Sequence, residues 1–386
     1  MKVLYLSYFS PPHLHAAANR SQRFAQYLAR TGCEVQLVRE QCTSRFSRQE
    51  SPACWQHEAL IANQAIVSWN IEWLWRRQEN VHWGWVIPSL WQCCLHIMAN
   101  RPDVIMVSCP PFSSSLVGYY LSRWFDLPLV LDFQDGWSRA SYFAAGKISC
   151  WEKLALKQAT KLVVTSQSDW IAYQRLVGED KVVWIPNSYD FVLNHASKNN
   201  TVFTLGYCGT WDSFRRSAKG ILCQLAAAPF SFRFINIGDS QPDFVALVEQ
   251  YALTDSVVMI GQVEKKQGQD VLAQCDALFI QNGPPDRGKK DTHLAAKAVD
   301  YVASGRPILA ELPEGETLSF LRRYAGKLHE VNIGDPEGYQ QQLNALYQQW
   351  QQNPQQVYRS SDEFYQAFDA RVLASRLYRI LNEARA

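Results

Sequence analysis

The sequence predicts an α/β protein of two doubly wound, Rossmann-like domains, and three observations carry that expectation. First, 386 residues at ~150 per domain leave room for two or three domains. Second, 47% hydrophobic against 19% charged residues supports a large core and excludes global disorder. Third, short runs that are apolar throughout alternate with helical patterns, in two series separated by one polar stretch. Continuously apolar strands are expected where helices cover both faces of a parallel sheet.

The first series begins with a strand at Val3–Ser7. A helix over Asn19–Arg30 follows, with Phe24, Tyr27 and Leu28 on one face and Gly32 closing it. A strand at Glu34–Val38 comes next, and residues 40–100 are less regular. The alternation resumes with strand Val104–Ser108, helix Ser114–Phe125, strand Leu129–Phe133 and helix Glu152–Ala159. Strand Leu162–Thr165, helix Asp169–Leu176 and strand Val182–Ile185 complete it. Residues 188–202 are polar and rich in Asn, which marks a linker. The second series runs through strands Leu205–Cys208, Phe232–Ile237, Val257–Ile260, Ala277–Ile280 and Ile308–Glu311. Its helices are Ala218–Ala227, Phe244–Tyr251, Gln267–Gln274 and Leu294–Ala303. Beyond Asp335, Leu343, Leu346, Tyr347 and Trp350 keep helical spacing in a Gln-rich tail. The expected domains are 1–190, with an insertion at 40–100, and 203–365. A C-terminal helix over 366–386 is expected to cross back to the first domain.

Charge and cysteine content exclude several classes. Lys and Arg number 38 against 36 Asp and Glu, too balanced for a basic nucleic-acid binder. The ten cysteines contain no C-x-x-C and no zinc-finger spacing, and most lie in apolar segments, as expected of a reduced cytoplasmic chain. The apolar run at Val3–Leu6 is too short for a signal peptide. Leu116 to Phe133 comes nearest to a membrane span but carries Arg123, Asp126 and Asp132. The expectation is a soluble or peripherally attached protein.

Parallel sheets bind ligands beyond the carboxyl ends of their strands, and two facing sheets would bring both sets of ends to one interdomain cleft. The first such loop, SYFSPPHLHAAANR, lacks G-x-G-x-x-G, and no G-x-x-x-x-G-K-[ST] occurs anywhere. Ala16–Ala18 would allow a substrate to approach, or simply favour a helix with a solvated Arg20; His13 and His15 are either loop residues or site residues. After Leu129–Phe133 come Gln134, Asp135 and Trp137; Asp132 and Asp135 could hold sugar hydroxyls, or Asp135 could cap a turn. The second domain opens with GYCGTWDSFRRSAKG. Here Gly206 and Gly209 flank a strand end, and Arg215, Arg216 and Lys219 follow where a helix begins, a ready site for a diphosphate. Lys297 and Asp300 are three apart and share a helical face. They could reach a phosphate and a ribose, or form an exposed ion pair.

These residues carry a resemblance. The segments YLSYFSPP with Arg20, GWVIPSL, RPDVIMVSCPPFSSSLVGYYL, LPLVLDFQDGW, VVWIPNSYD, FTLGYCGTW and AAKAVDYVASGRPILA occur in the order seen in family 4-type glycosyltransferases of the GT-B fold. The branch that the chain resembles serves bacterial polysaccharide and glycoconjugate synthesis. The resemblance implies transfer of a sugar from a nucleotide-diphosphate sugar with retention, with no metal and no cofactor beyond that co-substrate. It implies that Gly209, Arg215, Lys219 and Lys297 hold the diphosphate and Asp300 the ribose. Asp135, Arg215 and Lys219 would serve catalysis, and His15, Arg20, Asp132 and Trp137 would line the acceptor or donor sugar. The acceptor would be a glycan, a lipid-linked sugar or a small molecule. Three departures stand out. Leu14-His15-Ala16-Ala17 replaces the usual glycines, Gln134 replaces an Arg, and Thr292 and Asp300 occupy the positions of a Glu-x7-Glu pair.

Such a reaction has a good leaving group, so it needs charge stabilisation more than a pair of acid and base carboxylates. Six tryptophans between Trp69 and Trp91, with Arg76 and Arg77 among them, suit an acceptor site or lipid headgroups, or a hydrophobic subdomain packed on the first sheet. The expectation is a cytoplasmic protein that could associate with the inner face of the membrane. Two other readings remain: a nucleotide-sugar epimerase, and a non-catalytic sugar-nucleotide-binding partner subunit.

Overall fold

The computed structural model describes residues 1–13, 16–41, 60–69, 82–139, 150–190, 200–211, 216–285 and 291–386. The chain divides into two compact units, Met1–Ser188 with Phe368–Ala386, and Tyr189–Ala367.

The first unit is built on seven strands: β1 (Lys2–Ser7), β2 (Glu34–Glu40), β3 (Ile61–Ile66), β4 (Val104–Cys109), β5 (Leu129–Phe133), β6 (Lys161–Val164) and β7 (Val182–Trp184). Their order in the sheet is β3-β2-β1-β4-β5-β6-β7, and all neighbours pair in parallel. Side chains alternate between the two faces. Val3, Tyr5, Val104 and Met106 pack under α1 (Ala16–Arg30) and α13 (Ala370–Arg385). Leu4, Leu6, Ile105 and Val107 pack under α2 (Trp83–Ala99), α3 (Ser113–Phe125), α4 (Cys150–Gln158) and α5 (Gln167–Val177). β4 and β5 are buried along their whole length, which is why they read as unbroken apolar runs.

Two elements of this unit lie in the stretch that looked irregular. β3 is a part-exposed edge strand. α2 carries Pro88 inside it. A proline cannot donate to the carbonyl four residues back; that carbonyl, on Gly84, instead accepts the backbone N–H of Trp69 at 2.9 Å. The helix therefore tolerates the proline because a neighbouring segment takes over its hydrogen bond. Trp73, Trp75, Arg76 and Arg77 lie outside the described residues. α13 buries Leu373, Leu377, Ile380 and Leu381 against the first sheet.

The second unit has six parallel strands: β8 (Phe203–Cys208), β9 (Phe232–Ile237), β10 (Val257–Gly261), β11 (Ala277–Gln281), β12 (Ile308–Glu311) and β13 (Leu328–Val331). Their order is β10-β9-β8-β11-β12-β13. The helices are α6 (Lys219–Ala226), α7 (Pro242–Gln250), α8 (Lys265–Ala273), α9 (Ala296–Ser304), α10 (Glu316–Tyr324), α11 (Pro336–Gln352) and α12 (Asp362–Ala367). α11 is the amphipathic helix expected of the Gln-rich tail: Leu343 and Leu346 are buried, with Tyr347 and Trp350 packed beside them. α10 and β13 were not anticipated from the sequence.

Both strand orders reverse once, between β1 and β4 and between β8 and β11. Loops on either side of such a reversal diverge and leave a crevice.

Candidate functional site

In the second unit the crevice is bordered by the end of β8 and the first turn of α9. Lys297, on that turn, points its ammonium over the Tyr207 ring, 4.1 Å from the centroid. Its stem is partly exposed, but Nζ itself is buried and has no hydrogen-bond acceptor among the described residues. Burial pushes its pKa down to about 7, and the nearby charge of Arg216 adds to the shift. The Tyr207 face compensates only part of the lost hydration.

The backbone beside it has been kept clear. Gly209 has φ +153°, and a Cβ there would lie 2.8 Å from Lys297 Nζ. Gly238, φ +134°, ends β9 next door, where a Cβ would come within 2.2 Å of the Gly209 carbonyl oxygen. The backbone N–H of Gly209 donates to the Ile237 carbonyl at 2.8 Å, and the Cys208 N–H donates to the Tyr301 hydroxyl at 2.9 Å, so the strand end is held rigidly. Burial raises the Cys208 thiol pKa; Lys297 opposes that rise and Asp300 adds to it, which puts the thiol within reach of both charges. Lys219 is exposed at the start of α6. The Glu311 carboxyl lies against Gly220 in the same turn. Burial raises its pKa to about 7, and the Tyr339 hydroxyl works against the rise.

The arrangement gathers Lys297, Arg216 and Gly209 at the reversal point, with Asp300 one turn along α9 from Lys297. An unsolvated ammonium beside open backbone favours an anion. Arg215 and His15 lie outside the described residues. Arg216 is one of the cations that the sequence already marked after β8; sequence reading passed over Tyr207, whose ring under the ammonium leaves no mark in sequence spacing.

In the first unit the expected residues are employed differently. Arg20 is buried and grips Asp132, with Nε and Nη2 donating at 2.8–3.1 Å. It also donates to the carbonyls of Ile185 and Pro186, each at 2.9 Å. Asp132 is fully buried and accepts from Ser108 at 2.7 Å as well. Both side chains are therefore committed to joining α1, β4, β5 and the end of β7. Among the described residues both are structural partners, with side chains 5% and 0% exposed. Trp137 stacks on Phe112 at 5.0 Å, nearly parallel, and is partly exposed. Asp135 is half-buried beside Asp169, whose pKa burial raises to about 6, against the pull of Arg139.

A second group gathers at the end of β1. His13 contacts Glu40 at 3.1 Å, and Tyr8 stacks on His82 at 4.8 Å. Among the described residues no group of three or more His, Cys, Asp or Glu side chains is placed to hold a metal ion. None of the described helices is long and apolar enough to cross a membrane.

Comparison with known proteins agrees with this architecture. Residues 16–188 match the family model described as a glycosyl transferase 4-like domain. Over nearly the whole chain the fold is GT-B. The chain is similar to sucrose-phosphate synthase from Thermosynechococcus elongatus, at 16% identity and TM-score 0.73, covering 100% of each chain. It is similar to Anabaena HepE in complex with UDP and glucose, at 15% identity and TM-score 0.70, covering 99% of this chain and 100% of that one. It is also similar to the lipopolysaccharide outer core galactosyltransferase WaaB, at 12% identity and TM-score 0.62, covering 100% of each. At these identities the likeness is one of fold. No curated relative matches the chain by sequence.

Proposed function

We propose that the chain is a glycosyltransferase that moves a sugar from a nucleoside-diphosphate sugar to an acceptor hydroxyl, with retention and without a metal. One observation carries the reading: the buried ammonium of Lys297, without an acceptor among the described residues, beside the open backbone of Gly209. A diphosphate would supply the missing acceptors. The glycosyl transferase 4-like match and the UDP and glucose held by the similarly folded HepE support it.

In this reading transfer breaks the bond between the anomeric carbon and the diphosphate oxygen. The acceptor hydroxyl attacks on the face that the diphosphate leaves, which retains the configuration, and its proton passes to the departing diphosphate oxygen, where negative charge grows. Lys297, Arg216 and Lys219 stabilise that charge, Arg215 joins them, and Asp300 accepts from the ribose hydroxyls. Asp135 works at the acceptor side, in the first unit. The acceptor is a glycan or a lipid-linked sugar, in keeping with the outer-core substrate named for WaaB.

The test is a thermal-shift screen with UDP, GDP and dTDP, since a ligand that binds only the native form raises the melting temperature. One of the three should stabilise the wild type, and Lys297→Met should weaken that ligand about tenfold or more. The corresponding sugar nucleotide should then yield a glycosylated acceptor, with Lys219→Ala and Arg215→Ala turning over about tenfold slower or worse. A sugar nucleotide epimerised without any acceptor would replace transfer by epimerisation. Binding with neither outcome would make the chain a non-catalytic binder, a result to which Thr292, in place of an acid, lends weight.

A further inference from the structure

The segment Gln134–Arg139 follows β5 and carries Asp135 and Trp137. Its start is tied to the sheet. The Gln134 N–H donates to the Cys109 carbonyl at 2.9 Å, and the Thr165 hydroxyl donates to the Gln134 carbonyl at 2.6 Å. Its later half rests on three buried polar side chains. Glu152 of α4 is 0% exposed, and Asp169 and Tyr173 of α5 are 5% and 0% exposed. The Trp137 N–H donates to the Tyr173 oxygen at 3.2 Å, and the Tyr173 hydroxyl donates to Glu152 at 2.6 Å. Glu152 thereby sets the polarity of this chain: it draws the one hydroxyl proton, so a lone pair is left for the loop. Arg139 donates from Nε to Asp169 Oδ1 at 3.2 Å. The backbone passes so close that a Cβ on Gly136 would lie 2.9 Å from the same oxygen. Burial raises the pKa of both Glu152 and Asp169. Apolar residues of similar size could pack a loop without that desolvation, so two carboxylates here call for a reason other than stability.

We propose that Asp169, Tyr173 and Glu152 are positioning residues for transfer: they set the conformation of Gln134–Arg139, and with it the place of Asp135, and their hold is complete only while Asp169 is ionised. This rests on the reading of the chain as a glycosyltransferase in which Asp135 works at the acceptor side. The groups around Asp169 can be named. On the loop, Arg139 favours its charge and Asp135 opposes it; on its own side, the Ser166 hydroxyl favours it. From α4, Glu152 bonds Tyr173 and feels the same Arg139. Burial outweighs the favourable partners and puts the Asp169 pKa at about 6. Below that pH the carboxyl is neutral, and its bond from Arg139 loses the strength that the charge gives it. Tyr173 and Glu152 then hold Trp137 alone, and the turn around Asp135 is no longer fixed from both ends.

The test follows transfer by the full chain, with the sugar nucleotide that the thermal-shift screen selects and its acceptor. At pH 8, Asp169→Asn and Tyr173→Phe should each lower kcat about tenfold or more. Both should keep the wild type's thermal shift with nucleoside diphosphate, which reads the donor site separately. In the wild type kcat should fall as pH drops through about 6, and Asp169→Asn should lack that limb. Stability separates positioning from packing. Asp169 binds its proton more tightly in the fold than in the unfolded chain, so above pH 6 its charge works against folding. Asp169→Asn should therefore melt no lower than the wild type at pH 8. A residue kept for packing would give the reverse, lower melting with kcat intact, and that result overturns the proposal. So does a limb near pH 6 that persists in Asp169→Asn. Hydrogen exchange across residues 134–139 should quicken in both variants whatever the chain transfers, so unchanged exchange refutes the hold on the loop by itself. A wild type that transfers no sugar instead brings down the glycosyltransferase reading, and the proposal with it.

Discussion

Lys297 holds its ammonium away from water, and the consequence can be measured. Its pKa is about 7 in the fold against 10.5 for an ordinary lysine. Between those values the unfolded chain binds the extra proton, so this group makes stability rise with pH across that window. A bound diphosphate favours the charged form and restores the proton. Binding of UDP, or of whichever nucleoside diphosphate the screen selects, should therefore take up a proton above pH 7. Affinity should weaken as pH climbs from 7 towards 10. Calorimetry in two buffers of different ionisation enthalpy reads the uptake, and Lys297→Arg, charged throughout, should abolish it. Arg20 poses the opposite case. Its guanidinium is matched by Asp132 and two carbonyls, so Arg20→Leu strands a buried carboxylate. That should cost about 3–5 kcal/mol of stability in urea titration.

Helices α2 and α13 show how far pattern alone carries. Strands such as β4 and β5 are legible because both faces are covered, which forces every residue to be apolar. α2 is illegible for a related reason: apolar residues lie on its buried and exposed sides alike, so no helical period emerges. Pro88 argues against a helix as well, until Trp69 is seen to take up the freed carbonyl. Trp85 is fully buried in this helix; Trp85→Ala should destabilise the protein by about 3–5 kcal/mol, read by the same titration. α13 has clean amphipathic spacing, and its partner strands lie hundreds of residues earlier in the chain. Truncation after Asp369 would uncover Val3, Tyr5 and Met106. The shortened chain should be cut by protease in Met1–Ser188 under conditions where the full chain survives.

Across the molecule the two units carry different halves of the proposed chemistry. Lys297, Arg216 and Gly209 belong to Tyr189–Ala367, whereas Asp135 belongs to Met1–Ser188. Substitutions should separate accordingly. Lys297→Met should raise the dissociation constant for the nucleoside diphosphate about tenfold or more. Asp135→Asn should leave that constant unchanged while lowering kcat with acceptor present; an equal effect of both on nucleotide affinity would refute the division.

The two βα series, the break near residues 188–202 and the cations after β8 could be read from the chain, because hydrophobic period and turn chemistry are local properties. The fate of each polar group could not. Arg20 and Asp132 are 112 residues apart, and only folding pairs them in a buried clamp. Lys297 could be read as a phosphate ligand or as half of an exposed ion pair until folding laid it over Tyr207, 90 positions away. Whether a charge is hydrated, paired or stranded depends on which distant segments surround it, and those neighbours exist only once the sheets have assembled.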